Sequence, residues 1–290
     1  MEGHSHFKPL QSSRIPLASA KKHPTLNPMK RLLFASLFPA CLLFASCDNA
    51  NQNAAHDADC AGCDSCSHKT LGVEVVELFN GKDLEGWEHR LWSEDGSAKN
   101  LSMEDVWSVK DGVLICKGKP LGYLQTTTDY ENYVLNLEWR WAAEPTNCGV
   151  LLRIQEEPET FLPKCVEAQL EHGNAGDLYA FFGASLTGDS ERYKLIETTK
   201  IGNFHAVKKI KHLEKPAGEW NHYRIEVKGD TVKAFINGEL ANEGSGIDVL
   251  AGPIGLQTEG SEIHFKNVRL EPLVFDAVKG SWSTAKTPKE

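Results

Sequence analysis

The sequence predicts an all-β domain, a sandwich or barrel of antiparallel strands, from three observations. Short alternating or wholly apolar runs recur from Val73 onward and are punctuated by Gly, Asn and Asp. Two tight hairpins are marked by Gly229-Asp230 and Asn237-Gly238, with strand-like segments on either side. No window carries a sustained helical period.

Ahead of the domain, Met29-Lys30-Arg31 introduces an apolar run from Leu32 to Ser46. That run is too short for a membrane span, and Pro39 disfavours a spanning helix, so residues 1–47 are expected to be a signal peptide, with Met29 a candidate true start. Phe44-Ala45-Ser46-Cys47 resembles the end of a bacterial lipobox. Two readings follow: lipidation of Cys47, which would anchor an exported protein to the cell envelope, or ordinary signal cleavage nearby. Residues 48–72 read as a flexible tether holding Cys60, Cys63, Cys66 and His68. That spacing suits either a Zn²⁺ site or cysteines that are oxidised or free.

The domain, expected over residues 73–273 with a tail from 274, follows in strands. Runs at Val113–Cys116, Tyr133–Trp141, Gly149–Ile154, Cys165–Leu170, Tyr223–Val227, Thr231–Ile236 and Ile263–Leu270 alternate or are apolar. Asn237-Gly238 suits a type I′ turn, because both positions tolerate positive φ, and predicts a meander from Arg224 to Asn242. Alternation also assigns faces. Leu135, Leu137, Trp139 and Trp141 share one face against Asn136, Glu138 and Arg140. Leu151, Arg153 and Gln155 oppose Val150, Leu152 and Ile154, and Glu167 and Gln169 oppose Val166, Ala168 and Leu170. Three successive segments thus each carry a polar face, which is either a solvated surface or a concave binding surface. Leu178 to Pro216, with Phe181-Phe182 and Lys208-Lys209-Ile210-Lys211, fits no pattern clearly.

Composition excludes some functions. Of the formal net charge of −9, residues 1–47 hold six Lys/Arg and one acidic residue, leaving 25 Lys/Arg against 39 Asp/Glu in the body. Such a body is no partner for nucleic-acid phosphates. The sequence has no phosphate loop, dinucleotide fingerprint or supported Ser-His-Asp grouping, so no nucleotide cofactor is expected.

A series of phrases in fixed order resembles the 3-keto-disaccharide hydrolase family over about residues 74–272. They include Glu77-Leu-Phe-Asn-Gly-Lys-Asp-Leu-Glu-Gly-Trp87, Trp107-Ser-Val-Lys-Asp-Gly-Val-Leu114, Gly122-Tyr-Leu-Gln-Thr126 and Asn147-Cys-Gly-Val-Leu-Leu-Arg153. Tyr130-Glu-Asn-Tyr-Val-Leu-Asn-Leu-Glu-Trp-Arg140, Val166-Glu-Ala-Gln169, Lys215-Pro-Ala-Gly-Glu-Trp-Asn221, Asn237-Gly238, Gly252-Pro-Ile-Gly-Leu-Gln-Thr-Glu-Gly260 and Phe265-Lys-Asn-Val-Arg-Leu270 complete it. The resemblance implies a two-sheet antiparallel jelly roll of the concanavalin A-like lectin/glucanase type. It also implies cleavage of glycosides oxidised to a ketone at C3, and it allows a divalent metal ion. Cys148 stands where the family more often has Ser, which puts a hydroxyl contact there in doubt.

The chemistry needs a base for the C2 proton, a group to stabilise the enolate and an acid for the leaving oxygen. The matching positions nominate Glu167 as the base and Glu259 as a second carboxylate. Arg153, Gln169, Gln257, Glu138 and Trp220 are candidate substrate contacts, and His172 is a candidate metal ligand. No oxidising machinery is evident, so a separate sugar 3-oxidoreductase would act upstream. The competing readings are a non-catalytic carbohydrate-binding lipoprotein using the same face, and a structural surface protein.

Overall fold

A computed structural model of the chain describes residues 71–142, 144–155, 160–198, 201–284 and 286–288. The signal peptide, Cys47 and the Cys60–His68 motif lie outside the described residues. Among the described residues, nineteen strands and two short 3₁₀ turns make up the regular structure. In chain order the first seven are β1 (Leu71–Val73), β2 (Val76–Glu77), β3 (Trp87–Trp92), β4 (Trp107–Lys110), β5 (Val113–Cys116), β6 (Leu121–Thr126) and β7 (Tyr133–Trp141). Next come β8 (Gly149–Leu152), β9 (Cys165–Gln169), β10 (Leu178–Phe181), β11 (Tyr193–Ile196), β12 (Phe204–Val207) and β13 (Asn221–Lys228). The last are β14 (Thr231–Ile236), β15 (Glu239–Ser245), β16 (Gly255–Thr258), β17 (Ile263–Asp276), β18 (Ser281–Thr284) and β19 (Lys286–Pro288). No described helix is long and apolar enough to cross a membrane.

Two antiparallel sheets form the sandwich. One runs β15-β14-β13-β7-β17-β5-β4, with β2 and β18 also paired to β17; the other runs β11-β12-β10-β9-β8-β16-β6-β3. The predicted all-β jelly-roll class is what the structure has. The meander is present as β13-β14-β15, and Asn237 and Gly238 have φ of 52° and 86°, as a type I′ turn requires. The stretch expected as a tail continues β17 to Asp276 and pairs it with β18, while β19 pairs with β1.

Alternation explains the core. Trp107, Trp139, Trp141, Leu135 and Leu137 from the first sheet meet Leu124, Val150, Leu152, Ala168 and Leu178 from the second, all buried in one cluster. Cys116, Cys148 and Cys165 are free thiols and fill space as small apolar groups.

The three polar faces do not form one surface. β7 lies in the first sheet, whereas β8 and β9 lie in the second. Glu138 therefore points outward from the far side of the sandwich, where Lys266 and Asn267 pair with it. Trp220 sits there too, its ring under Arg140 at 4.8 Å and Lys266 at 4.2 Å. Neither residue belongs to a site with Glu167. Alternation tells which residues share a face but not which sheet a strand joins.

Arg153 is a second correction. A left-handed φ of 50° just past the end of β8 breaks the alternation that was to place it beside Gln155. Its guanidinium donates to the carbonyls of Glu131, Gly229 and Asp248 at 2.7–2.9 Å and to Asn132 Oδ1 at 3.3 Å. These bonds tie three loops together. Arg153→Ala leaves several carbonyls without their donor and is expected to cost about 2–4 kcal/mol of stability, measured by denaturant unfolding. A role in substrate binding would instead leave the unfolding midpoint in place and raise KM alone.

Candidate active site

The outer face of the second sheet carries the remaining candidates in register. Cross-strand pairs place Tyr179, Glu167, Leu151, Gly255, Gln125 and Glu88 in one row from β10 to β3. The next row holds the pair Gln169 and Gly149 and the run Gln257, Tyr123 and Arg90. Asn147 bridges to Glu259 in a third row, in which Leu121 pairs with Trp92. Successive rows lie about 7 Å apart, two residues along a strand.

Gly149 closes that distance for Glu167. A Cβ at Gly149 would lie 1.7 Å from Glu167 Oε1, so the carboxyl of Glu167 leans over the bare glycine into the middle row. From the other side, Gln257 Nε2 donates to Glu259 Oε2 at 2.7 Å. The two carboxyls converge on the middle row. Four buried acceptors on this face have no protein partner: Glu167 Oε1, Gln257 Oε1, Gln125 Oε1 and Asn147 Oδ1. Such atoms suit donor hydroxyls, of which a sugar has several.

Electrostatics separates the two acids. Burial pushes Glu167 well above the usual carboxylate range, with the charges of Glu259 and Glu171 adding to it. Glu259 is pushed up to about 7, first by burial, against a hydrogen bond from Asn147 that favours its ionised form. Glu167 has a buried oxygen without a donor, while Glu259 accepts from two side-chain amides. The proton shared near neutral pH thus resides on Glu167 and the negative charge on Glu259.

Beside Glu167 lies a group the sequence reading missed. Tyr179, its cross-strand partner, donates from its hydroxyl to Asp177 Oδ2 at 3.0 Å, and Lys208 Nζ reaches both that hydroxyl, at 3.0 Å, and Asp177. These residues belong to Leu178 to Pro216 or its border, where short strands carry too few residues to show a period. Gln169 uses its side-chain oxygen to accept from the backbone of Leu170 and Glu171 at 2.8 and 2.7 Å, which leaves its NH₂ as the donor.

His172 does not join this set. Its side chain is half exposed and pairs with Glu214 at 3.1 Å. Among the described residues no group of three or more His, Cys, Asp or Glu is arranged to hold a metal ion.

The raised carboxyls carry a stability cost. With its folded pKa near 7 against an ordinary 4.5, Glu259 binds its proton more tightly in the folded state. Its contribution is fully present below pH 4.5 and is lost as pH rises through 7. Glu259→Gln is expected to remove that loss, gaining on the order of 1–3 kcal/mol over the parent at pH 8 and little at pH 4. Urea unfolding at the two pH values checks this; an equal effect at both contradicts the shift.

Residues 74–271 match the model of the 3-keto-alpha-glucoside-1,2-lyase-like domain. Among solved structures, a candidate glycosyl hydrolase from Parabacteroides distasonis is 26% identical, with 69% of this chain and 94% of that chain covered and a TM-score of 0.49. LamAcat from Zobellia galactanivorans is 12% identical over 70% of this chain and 98% of that one, with a TM-score of 0.46. The carbohydrate-binding module CBM66 from Bacillus subtilis is 10% identical over 63% and 94%, with a TM-score of 0.45. No curated protein matches. By the extent of the family match, the chain belongs to the 3-keto-alpha-glucoside-1,2-lyase-like domain family and is a carbohydrate-active protein.

Proposed function

We propose that the chain cleaves the glycosidic bond of 3-keto-glycosides by elimination. The observation that carries this reading is the pair Glu167 and Glu259, converging on one polar face with their proton affinities raised and pushed apart. A ketone at C3 makes the C2 hydrogen acidic, because the carbanion left behind is an enolate. A carboxylate of ordinary pKa is a weak base for that hydrogen; one near 7 is stronger and still ionised at neutral pH.

The roles follow from where the proton rests, and they exchange the base expected from sequence. Glu259, ionised, removes the C2 proton. The electron pair forms the enolate, then the C1–C2 double bond as the bond from C1 to the glycosidic oxygen breaks. Glu167, protonated, gives its proton to the departing oxygen. The products are the free alcohol and an unsaturated keto sugar; water adding across the double bond gives the 3-keto sugar instead. The Gln169 NH₂ and the Lys208 ammonium meet the charge that develops on the ketone oxygen. The ketone itself would come from a separate oxidoreductase, and a lipid anchor at Cys47 would hold the enzyme at the cell envelope.

The purified chain should consume a 3-keto-glucoside and leave its unoxidised parent untouched. Equal hydrolysis of the parent would point to ordinary glycosidase chemistry; binding of both without product would point to a carbohydrate-binding protein. The pH profile of kcat/KM should be bell-shaped, rising as Glu259 ionises near 7 and falling above as Glu167 does. Glu259→Gln should lower kcat by at least about a hundredfold for every leaving group. Glu167→Gln should do so for alkoxide leaving groups and far less for a nitrophenolate, which departs without a proton. Gly149→Ala, with its backbone in the ordinary strand region, should resemble Glu167→Gln, because its methyl takes the place of the carboxyl.

A further inference from the structure

Beyond Glu259 the polar face runs into a cleft of about 650 Å³ whose character differs. Its lining includes Trp92, Pro120 and Leu121, with Ser93 and Lys119 supplying polar atoms and Glu259 forming one wall. Trp92 is half-buried, and Phe161 lies against it with ring centroids 6.1 Å apart. Register explains the position. On β3, Trp92 shares a face with Glu88 and Arg90 and pairs with Leu121, in the same row as Glu259. Glu259 therefore stands where the amide-rich surface ends and the apolar cleft begins.

A sugar ring asks for many hydrogen bonds, and those are concentrated around Gln169, Gln257, Gln125 and Asn147. The cleft offers few. On the reaction proposed above, the keto sugar occupies the amide-rich side and its glycosidic bond lies where the carboxyls of Glu167 and Glu259 converge, with the glycosidic oxygen facing Glu167. The substituent on that bond then enters the cleft. We propose that this cleft is the leaving-group subsite, and that it takes an aromatic aglycone stacked on Trp92 in preference to a second sugar. The size accommodates a phenolic group with substituents, and an indole face gives a flat ring offset-stacking contact beyond simple burial.

The proposal rests on the elimination reading, and the experiment keeps the two apart. Phenyl 3-keto-glucoside and a 3-keto-disaccharide are each offered to the parent, to Trp92→Ala and to Trp92→Phe. The quantity read is the ratio of the two kcat/KM values within each protein, so that a partly folded variant does not distort it. The parent should favour the phenyl substrate. Trp92→Ala should lower that ratio about tenfold, through KM for the phenyl substrate, and Trp92→Phe should restore most of it. If the parent turns over both substrates and the ratio is unchanged in Trp92→Ala, the subsite assignment is wrong and the reaction stands. If the parent turns over neither, the reaction is wrong and the subsite falls with it.

Discussion

The site depends on one buried carboxyl held without a counter-charge. Glu167 lies at the centre of a sheet, 2% exposed, with one oxygen lacking any donor. An isolated buried carboxylate is costly, and the group responds by keeping its proton. That single fact sets the rest. It makes Glu167 an acid, leaves the charge to Glu259, and requires a glycine at position 149 for the carboxyl to fold over. Gly149 is not in a left-handed conformation; it is needed for room, since any side chain would occupy the space of Glu167 Oε1. The arrangement trades stability for reactivity, as acids with displaced proton affinities commonly do.

The scaffold supplies what such a pair needs. Two sheets bury their facing residues in a core rich in Trp, Leu and Val, and the outer face of one sheet is left for chemistry. Strand pairing fixes the spacing of side chains on that face in rows, so that residues distant in sequence, such as Asn147 and Glu259, meet through a backbone bridge. Arg153 locks the loops at the end of β8, and the Lys208–Tyr179–Asp177 group braces the side of the face nearest Glu167. Electrostatic preorganisation of this kind requires groups that do not move as charge develops.

Much of the fold was legible in the sequence because strand periodicity is local. β7 and β14 have the bounds expected of them, and the turn at Asn237-Gly238 is where its two residue types demand it. The pairing of Glu167, Gln169, Gln257 and Glu259 on one face was also legible, through alternation together with the family phrases. Four kinds of information were not. Sheet membership is non-local, which is why Glu138 and Trp220 were grouped with residues on the far side. A left-handed residue interrupts alternation without a signal from its own type, which misplaced Arg153. Lys208, Tyr179 and Asp177 come from β10 and from just outside β10 and β12, where runs of four residues show no period. The exchange of roles between Glu167 and Glu259 rests on burial and on the donors around each, and alternation reports neither.

The central claim is that the pair holds one proton at neutral pH. Difference infrared spectroscopy of the carboxyl C=O band, taken from pH 4 to 10 on the parent and on Glu167→Gln, tests it without substrate. The account expects a protonated carboxyl that persists through pH 7 in the parent and is missing in the variant, with a second transition near 7 from Glu259. Loss of all carboxyl signal by pH 5.5 would show both groups ionised in the folded protein, and would contradict the assignment of acid and base together.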